Sequence, residues 1–94
     1  MAIRSFRTKV TLAVFRDEPV RGLAKDIRER ARAKLLQINA AEQIEDLFEP
    51  PGNRLKALRG DRAGQHSVRV NAQWRICFVW RDGHAFDVEL VDYH

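Results

Sequence analysis

The stretch Asn71–Trp80, NAQWRICFVW, decides the fold. Trp74, Ile76, Phe78 and Trp80 alternate along it, as they do on the buried face of a β-strand whose side chains point to opposite sides with period two. The same alternation sends Arg75 to the other face, a bulky cation in the middle of the most hydrophobic strand. Asp82-Gly83 follows as a type I′ hairpin signal. Beyond it Phe86, Val88 and Leu90 form a second apolar face, alternating with Asp87, Glu89, Val91 and Tyr93. On the amino-terminal side Val68 and Val70 alternate with Ser67, Arg69 and Asn71, and a short turn around Ala72 joins them to the Trp74 strand. Three strands of this kind predict an antiparallel meander.

The first half of the chain changes period. In RGLAKDIRERARAKLLQINA, Leu23, Ile27, Ala31, Leu35 and Ile38 recur at steps of three and four, one stripe of an amphipathic helix. Lys25, Arg28, Arg30, Arg32 and Lys34 occupy its other faces. TKVTLAVFRD fits a strand or a short helix, and a helix capped at Thr8 is the expectation. AIRSF reads as a short strand with Ile3 and either Ser5 or Phe6 inward. Asn39 with Glu42 resembles a capping box opening a further short helix over Ala41–Phe48, and Pro50-Pro51-Gly52-Asn53 ends regular structure. Helices first and strands second give an α+β plan, with two to three helices on one face of a curved antiparallel sheet and the other face open.

Composition narrows the class. Ninety-four residues make one expected domain over 1–94, and 45% apolar with 32% charged residues fits a soluble globular protein. No apolar run approaches a membrane span and MAIRSFRTKV lacks a secretory h-region, so a cytoplasmic protein with no membrane role is expected. The single Cys77 excludes an internal disulfide and any multi-Cys zinc site. Neither a metal nor a cofactor is expected. The formal net charge is +4, with 17 basic residues of which 13 are Arg. Arg grips phosphate through a planar fork, so a nucleic-acid partner is one reading of that balance and a solvated basic surface is the other.

Parity places Arg69, Asn71, Arg75, Cys77 and Tyr93 together on the open face, so Arg75 is expected outside the core. Arg54, Lys56, Arg59 and Arg62 approach it from the preceding loop, and Asp92, Tyr93 and His94 from the C-terminal end. A basic surface with an aromatic ring suits RNA. Such a surface could also cleave RNA without a metal, if a base removes the 2′-OH proton, a cation stabilises the phosphoryl charge and an acid protonates the 5′-oxygen. The residues alone leave open an Arg75 paired across the sheet with Glu89 or Asp87, and a Tyr93-His94 end of no special role.

PPGNRLKALRGDRAGQHSVRVNAQWRICFVW, followed by VDYH, resembles the HigB family of plasmid-maintenance killer toxins in the RelE superfamily. Leu58-Arg59-Gly60-Asp61-Arg62, Gln73-Trp74-Arg75-Ile76 and Asp92-Tyr93-His94 carry the likeness at the family's spacing. The resemblance implies a RelE-like fold and the toxin of a bacterial type II toxin–antitoxin system. Such a toxin cuts mRNA in the ribosomal A site and is held inactive by a HigA-like helix-turn-helix antitoxin, through which it meets operator DNA. It implies catalytic roles for Arg59 and Arg75 on the phosphate and for Tyr93 and His94 in stacking or proton transfer. Arg54, Lys56, Arg62, Arg69, Asn71 and Asp92 are then RNA-binding. Arg59 stands where the family often has Lys, Lys56 where some members have His, and Asn71 where some have Arg. An unperturbed Tyr ionises near pH ~10 and is a poor base at neutrality, whereas His starts near ~6.5. Two other classes remain open at this point: a ParE-like inhibitor of DNA gyrase that binds without cutting, and an RNA- or protein-binding module.

Overall fold

Thr8 stands in extended backbone and its hydroxyl oxygen accepts from the Thr11 amide at 3.2 Å. This cap satisfies one of the amides that a helix start leaves unpaired. It opens α1, Lys9–Phe15, in the computed structural model, which describes residues 1–93. The ambiguous TKVTLAVFRD segment is therefore a helix, with Thr11 and Val14 buried. The predicted long helix is α2, Lys25–Ala40, and Ala31, Leu35 and Ile38 of its stripe are buried. Leu23 precedes the helix, half-buried against the same core.

The capping box exists but sits one turn later than the expected Asn39–Glu42. α2 runs on through Asn39 to Ala40, and Gln43 with Asp46 forms the box that opens a 3-10 helix, Ile44–Phe48. Asn39 instead accepts from the Ile3 amide at 3.2 Å, tying the first residues to the helix. The Pro-Pro-Gly-Asn break is itself ordered as a 3-10 turn, Pro51–Asn53. Its anchor is Asn53, fully buried, whose amide donates to Gln37 Oε1, Leu47 O and Glu49 O.

The sheet has four antiparallel strands in sequence order: β1 Lys56–Ala57, β2 His66–Arg69, β3 Trp74–Arg81 and β4 His84–Asp92. Two residues are too few to show a period, so β1 lies inside what the sequence pattern predicts as loop. Asp82 and Gly83 close the β3–β4 hairpin with both φ values positive, as a type I′ turn requires. The AIRSF strand reduces to two isolated parallel bridges, Ile3 to Ala85 and Phe6 to Val88, along the outer side of β4.

Phe86 faces away from the side that alternation predicts. The register of β4 slips between Cys77 and Val79, where Asp87 adopts φ 53°. This bulge inserts one residue and reverses parity on one side of it. Val88 and Ala85 are both buried, while Phe86 pairs with Val79 on the open face, where the Arg81 guanidinium stacks 4.4 Å from its ring. Phe86 is therefore not part of the core face formed by Val88 and Leu90.

Both α-helices pack on the other face. Val14, Ala31, Leu35 and Ile38 meet Val68, Ile76, Phe78, Ala85, Val88 and Leu90 in one cluster. Burying each of the larger of these side chains contributes about 1.5–3 kcal/mol. The Thr11 hydroxyl oxygen accepts from the Leu90 amide at 3.0 Å, so the first turn of α1 also occupies the outer edge of β4. Among the described residues no helix is long and apolar enough to cross a membrane.

Candidate RNA-binding site on the helix-free face

Register fixes which side chains share the open face. Arg75 lies opposite Arg69 on β2 and Val91 on β4, and Cys77 lies opposite Ser67 and Glu89. Lys56 on β1 continues that second row beside Ser67. The predicted face is thus assembled by the sheet, but Arg75 is not exposed on it. Its relative accessibility is 9%, because residues distant in sequence close over it.

Arg75 Nε donates to Ser67 Oγ at 2.9 Å and Nη2 to the Arg54 carbonyl at 2.9 Å. Arg54 presents that carbonyl from a left-handed conformation (φ 45°) that ends the Asn53-anchored turn. A non-glycine residue there carries roughly 1–2 kcal/mol of backbone strain. The Tyr93 ring lies 5.9 Å from the Arg75 guanidinium, and Lys56 Nζ stands 5.9 Å from the same ring. Both contacts are within cation–π range.

The electrostatics are unusual for a buried cation, which ordinarily has a carboxylate beside it. Among the described residues both hydrogen-bond acceptors of Arg75, the Ser67 hydroxyl and the Arg54 carbonyl, are neutral. Glu89, which pattern alone offered as its partner, binds Arg62 at 3.3 Å and approaches Arg7 at 3.9 Å. Burial pushes the Arg75 pKa below the usual guanidinium range, and Arg69 and Arg54 act in the same direction. The group stays charged at neutral pH, since Arg does not deprotonate in proteins. Burial also raises the Cys77 thiol, so this neighbour contributes no stable counter-charge. The face holds a fixed, desolvated positive charge aimed toward an aromatic ring.

The other predicted residues divide. Arg54, Lys56 and Arg69 gather around Arg75 and Tyr93. Arg62 is committed to Glu89 and Gln65. Asn71 Oδ1 accepts from the Gln73 and Trp74 amides at 2.9 and 2.7 Å, closing the β2–β3 turn. Asp92 Oδ2 accepts from Gln73 Nε2 at 3.2 Å. Arg59 is exposed at the start of the 3-10 turn Gly60–Arg62, and among the described residues its side chain makes no hydrogen bond or ion pair. It is not drawn to Arg75 and Tyr93 as the sequence reading expected. His94 lies outside the described residues. Ser67 is a site residue that no motif marks, and parity with Arg69 is the signal that places it on the polar face.

The sequence profile of the RelE-like toxin of type II toxin–antitoxin system HigB matches residues 4–94. The chain belongs to the HigB-like toxin family. Among its relatives is Toxin HigB-1 of Vibrio cholerae, 38% identical over 86 residues and covering 90% of each chain. Another is Endoribonuclease HigB of Proteus vulgaris, 33% identical over 92 residues, covering 98% of this chain and 99% of the relative. Among solved structures, the YoeB–YefM complex from Staphylococcus aureus superposes with a TM-score of 0.63 at 15% identity, over 100% of this chain and 99% of that one. At that identity the match speaks to the fold alone, and it is the RelE-like fold that the HigB-like family shares.

Proposed function

We propose that this HigB-like toxin is a metal-independent endoribonuclease that cuts mRNA in the ribosomal A site and so stops translation in the bacterial cytoplasm. The observation that carries the reading is Arg75, a buried guanidinium held by Ser67 and the Arg54 carbonyl, with no carboxylate paired to it among the described residues. A site of this kind binds a phosphodiester and stabilises the charge that gathers on its oxygens during cleavage. The 2′-OH loses its proton, its oxygen bonds to the adjacent phosphorus, the bond to the 5′-oxygen breaks, and that oxygen takes up a proton. Tyr93 stacks on a base or passes one of these protons, while Arg69, Arg54 and Lys56 hold the flanking backbone. Arg59 reaches in from the loop as a second cation once RNA is bound, and His94 offers a second group for proton transfer. The name of the Proteus vulgaris relative supports cleavage. A HigA-like helix-turn-helix antitoxin is the inhibitory partner, and through it the toxin meets operator DNA.

The test is expression of wild type, Arg75→Ala and Tyr93→Ala at matched levels, with primer extension on cellular mRNA. Wild type is expected to give discrete cuts within reading frames, and the variants to lose both cuts and growth arrest. Persistent toxicity of both variants overturns the site, and arrest with DNA damage but no cuts replaces the reading with gyrase poisoning.

A further inference from the structure

The basic face of α2 is not used by this site, yet one part of it is built as a cavity. A space of about 280 Å³ opens between α2, the Pro51–Asn53 turn and the end of β2, lined by Arg30, Ala33, Lys34, Gly52, Arg69 and Val70. Three of those six residues are cationic and none is acidic. Arg30 is fixed in place because its Nη2 donates to the Val70 carbonyl at 3.1 Å, which leaves its other N–H groups to serve a ligand. Among the described residues, neither Arg30, Lys34 nor Arg69 pairs with a carboxylate. Burial, and then the proximity of Arg30, lowers the Lys34 pKa, the response of an ammonium that lacks an anion. Arg69 joins this cavity to the open face, for it is also the cross-strand partner of Arg75, a step of roughly 5 Å.

We propose that this cavity seats a phosphate of the same RNA strand whose neighbouring phosphodiester lies at Arg75. The strand then runs from the sheet around its β2 edge onto α2, with Arg69 between the two positions. This deepens the function proposed above and rests on its assignment of Arg75.

The probe is a short, labelled single-stranded RNA carrying 2′-O-methyl groups, so that binding is measured without cleavage across a salt series. Lys34→Gln is expected to weaken binding about tenfold, as loss of a charge-assisted hydrogen bond does, and to reduce the log–log salt slope by about 0.7. Lys34→Arg should restore both. Lys25→Gln removes the same charge from a solvated position paired with Glu29, and should bind like wild type. Equal losses in Lys34→Gln and Lys25→Gln would reduce the effect to net charge and overturn the seat. Unchanged binding to the oligonucleotide with weakened binding to ribosomes would transfer the phosphate to ribosomal RNA and overturn it equally. Arg75→Ala, measured in parallel, separates the two readings. Wild-type binding by that variant, with a loss in Lys34→Gln, removes the Arg75 assignment and overturns the strand path between the two positions, leaving only phosphate binding in the α2 cavity.

Discussion

Replacing Arg75 with lysine keeps the charge and removes the fork. The guanidinium spans two acceptors at once, Ser67 Oγ and the Arg54 carbonyl, each at 2.9 Å. An ammonium on a flexible stem is a point donor and cannot reproduce that planar span. One acceptor therefore loses its donor. A hydrogen bond to a charged group contributes about 1.5–3 kcal/mol, so Arg75→Lys should destabilise the fold by about 2 kcal/mol. In a domain of this size each kcal/mol lowers Tm by about 4–8 °C, which predicts a fall of roughly 8–16 °C. The loss in catalysis should be larger than that structural cost. Removing one preorganised donor from a developing oxyanion slows a reaction by about 10²–10³. Circular dichroism melts would give the first quantity, and timed primer extension on ribosome-bound mRNA, below the variant's Tm, the second. A variant that melts as expected but cuts at the wild-type rate would refute the role given to the fork. A loss of cutting no greater than the unfolded fraction would refute it as well.

Substitutions at three further positions probe other parts of the molecule. Tyr93→Phe keeps the ring beside Arg75 and Lys56 and should retain RNA binding, with a deficit confined to the cutting rate if the hydroxyl moves a proton; binding and single-turnover cleavage on the same samples separate the two. Asp87→Val should destabilise by about 1–2 kcal/mol, because a β-branched residue is strained at positive φ, whereas Asp87→Gly should be neutral or stabilising; urea unfolding checks both signs. Asp46 accepts from the Glu42 and Gln43 amides at 2.9 and 3.1 Å, and these bonds hold its carboxyl below its ordinary pKa of 3.8. Its contribution to stability is therefore present above pH 3.8 and is lost as pH falls through the lower folded value. Asp46→Asn should flatten the acid limb of a stability–pH curve and leave the alkaline limb unchanged.

Much of this architecture is legible from side-chain period alone. Trp74 to Trp80, the Asp82-Gly83 turn and the Ala31–Leu35–Ile38 stripe each announce their element, because a buried face imposes a repeat on the sequence. What escaped has no repeat to impose. β1 is two residues long, and the bulge at Asp87 changes parity without altering the apolar pattern around it. Asn39 and Gln43 both suit a cap, and only continued helix through Ala40 decides between them. The candidate site shows the same division. Parity put Arg75 on the correct face, but its burial comes from a carbonyl 21 residues earlier in the chain and a phenol beyond β4. Pattern along one strand carries no information about either. The loop cation Arg59 looked equivalent to Arg75 as a letter, and the structure separates them by burial.

The bridges from Ile3 and Phe6 have a consequence for how a second protein can approach. They occupy the backbone groups of Ala85 and Val88, and Thr11 occupies that of Leu90, so the outward margin of β4 is already taken. At the opposite margin β1 is two residues long, too brief to template another chain. A sheet sealed at one border and truncated at the other resists being extended by neighbouring copies. A second protein that meets either border of this sheet therefore finds side chains and charge in place of a long open strand edge.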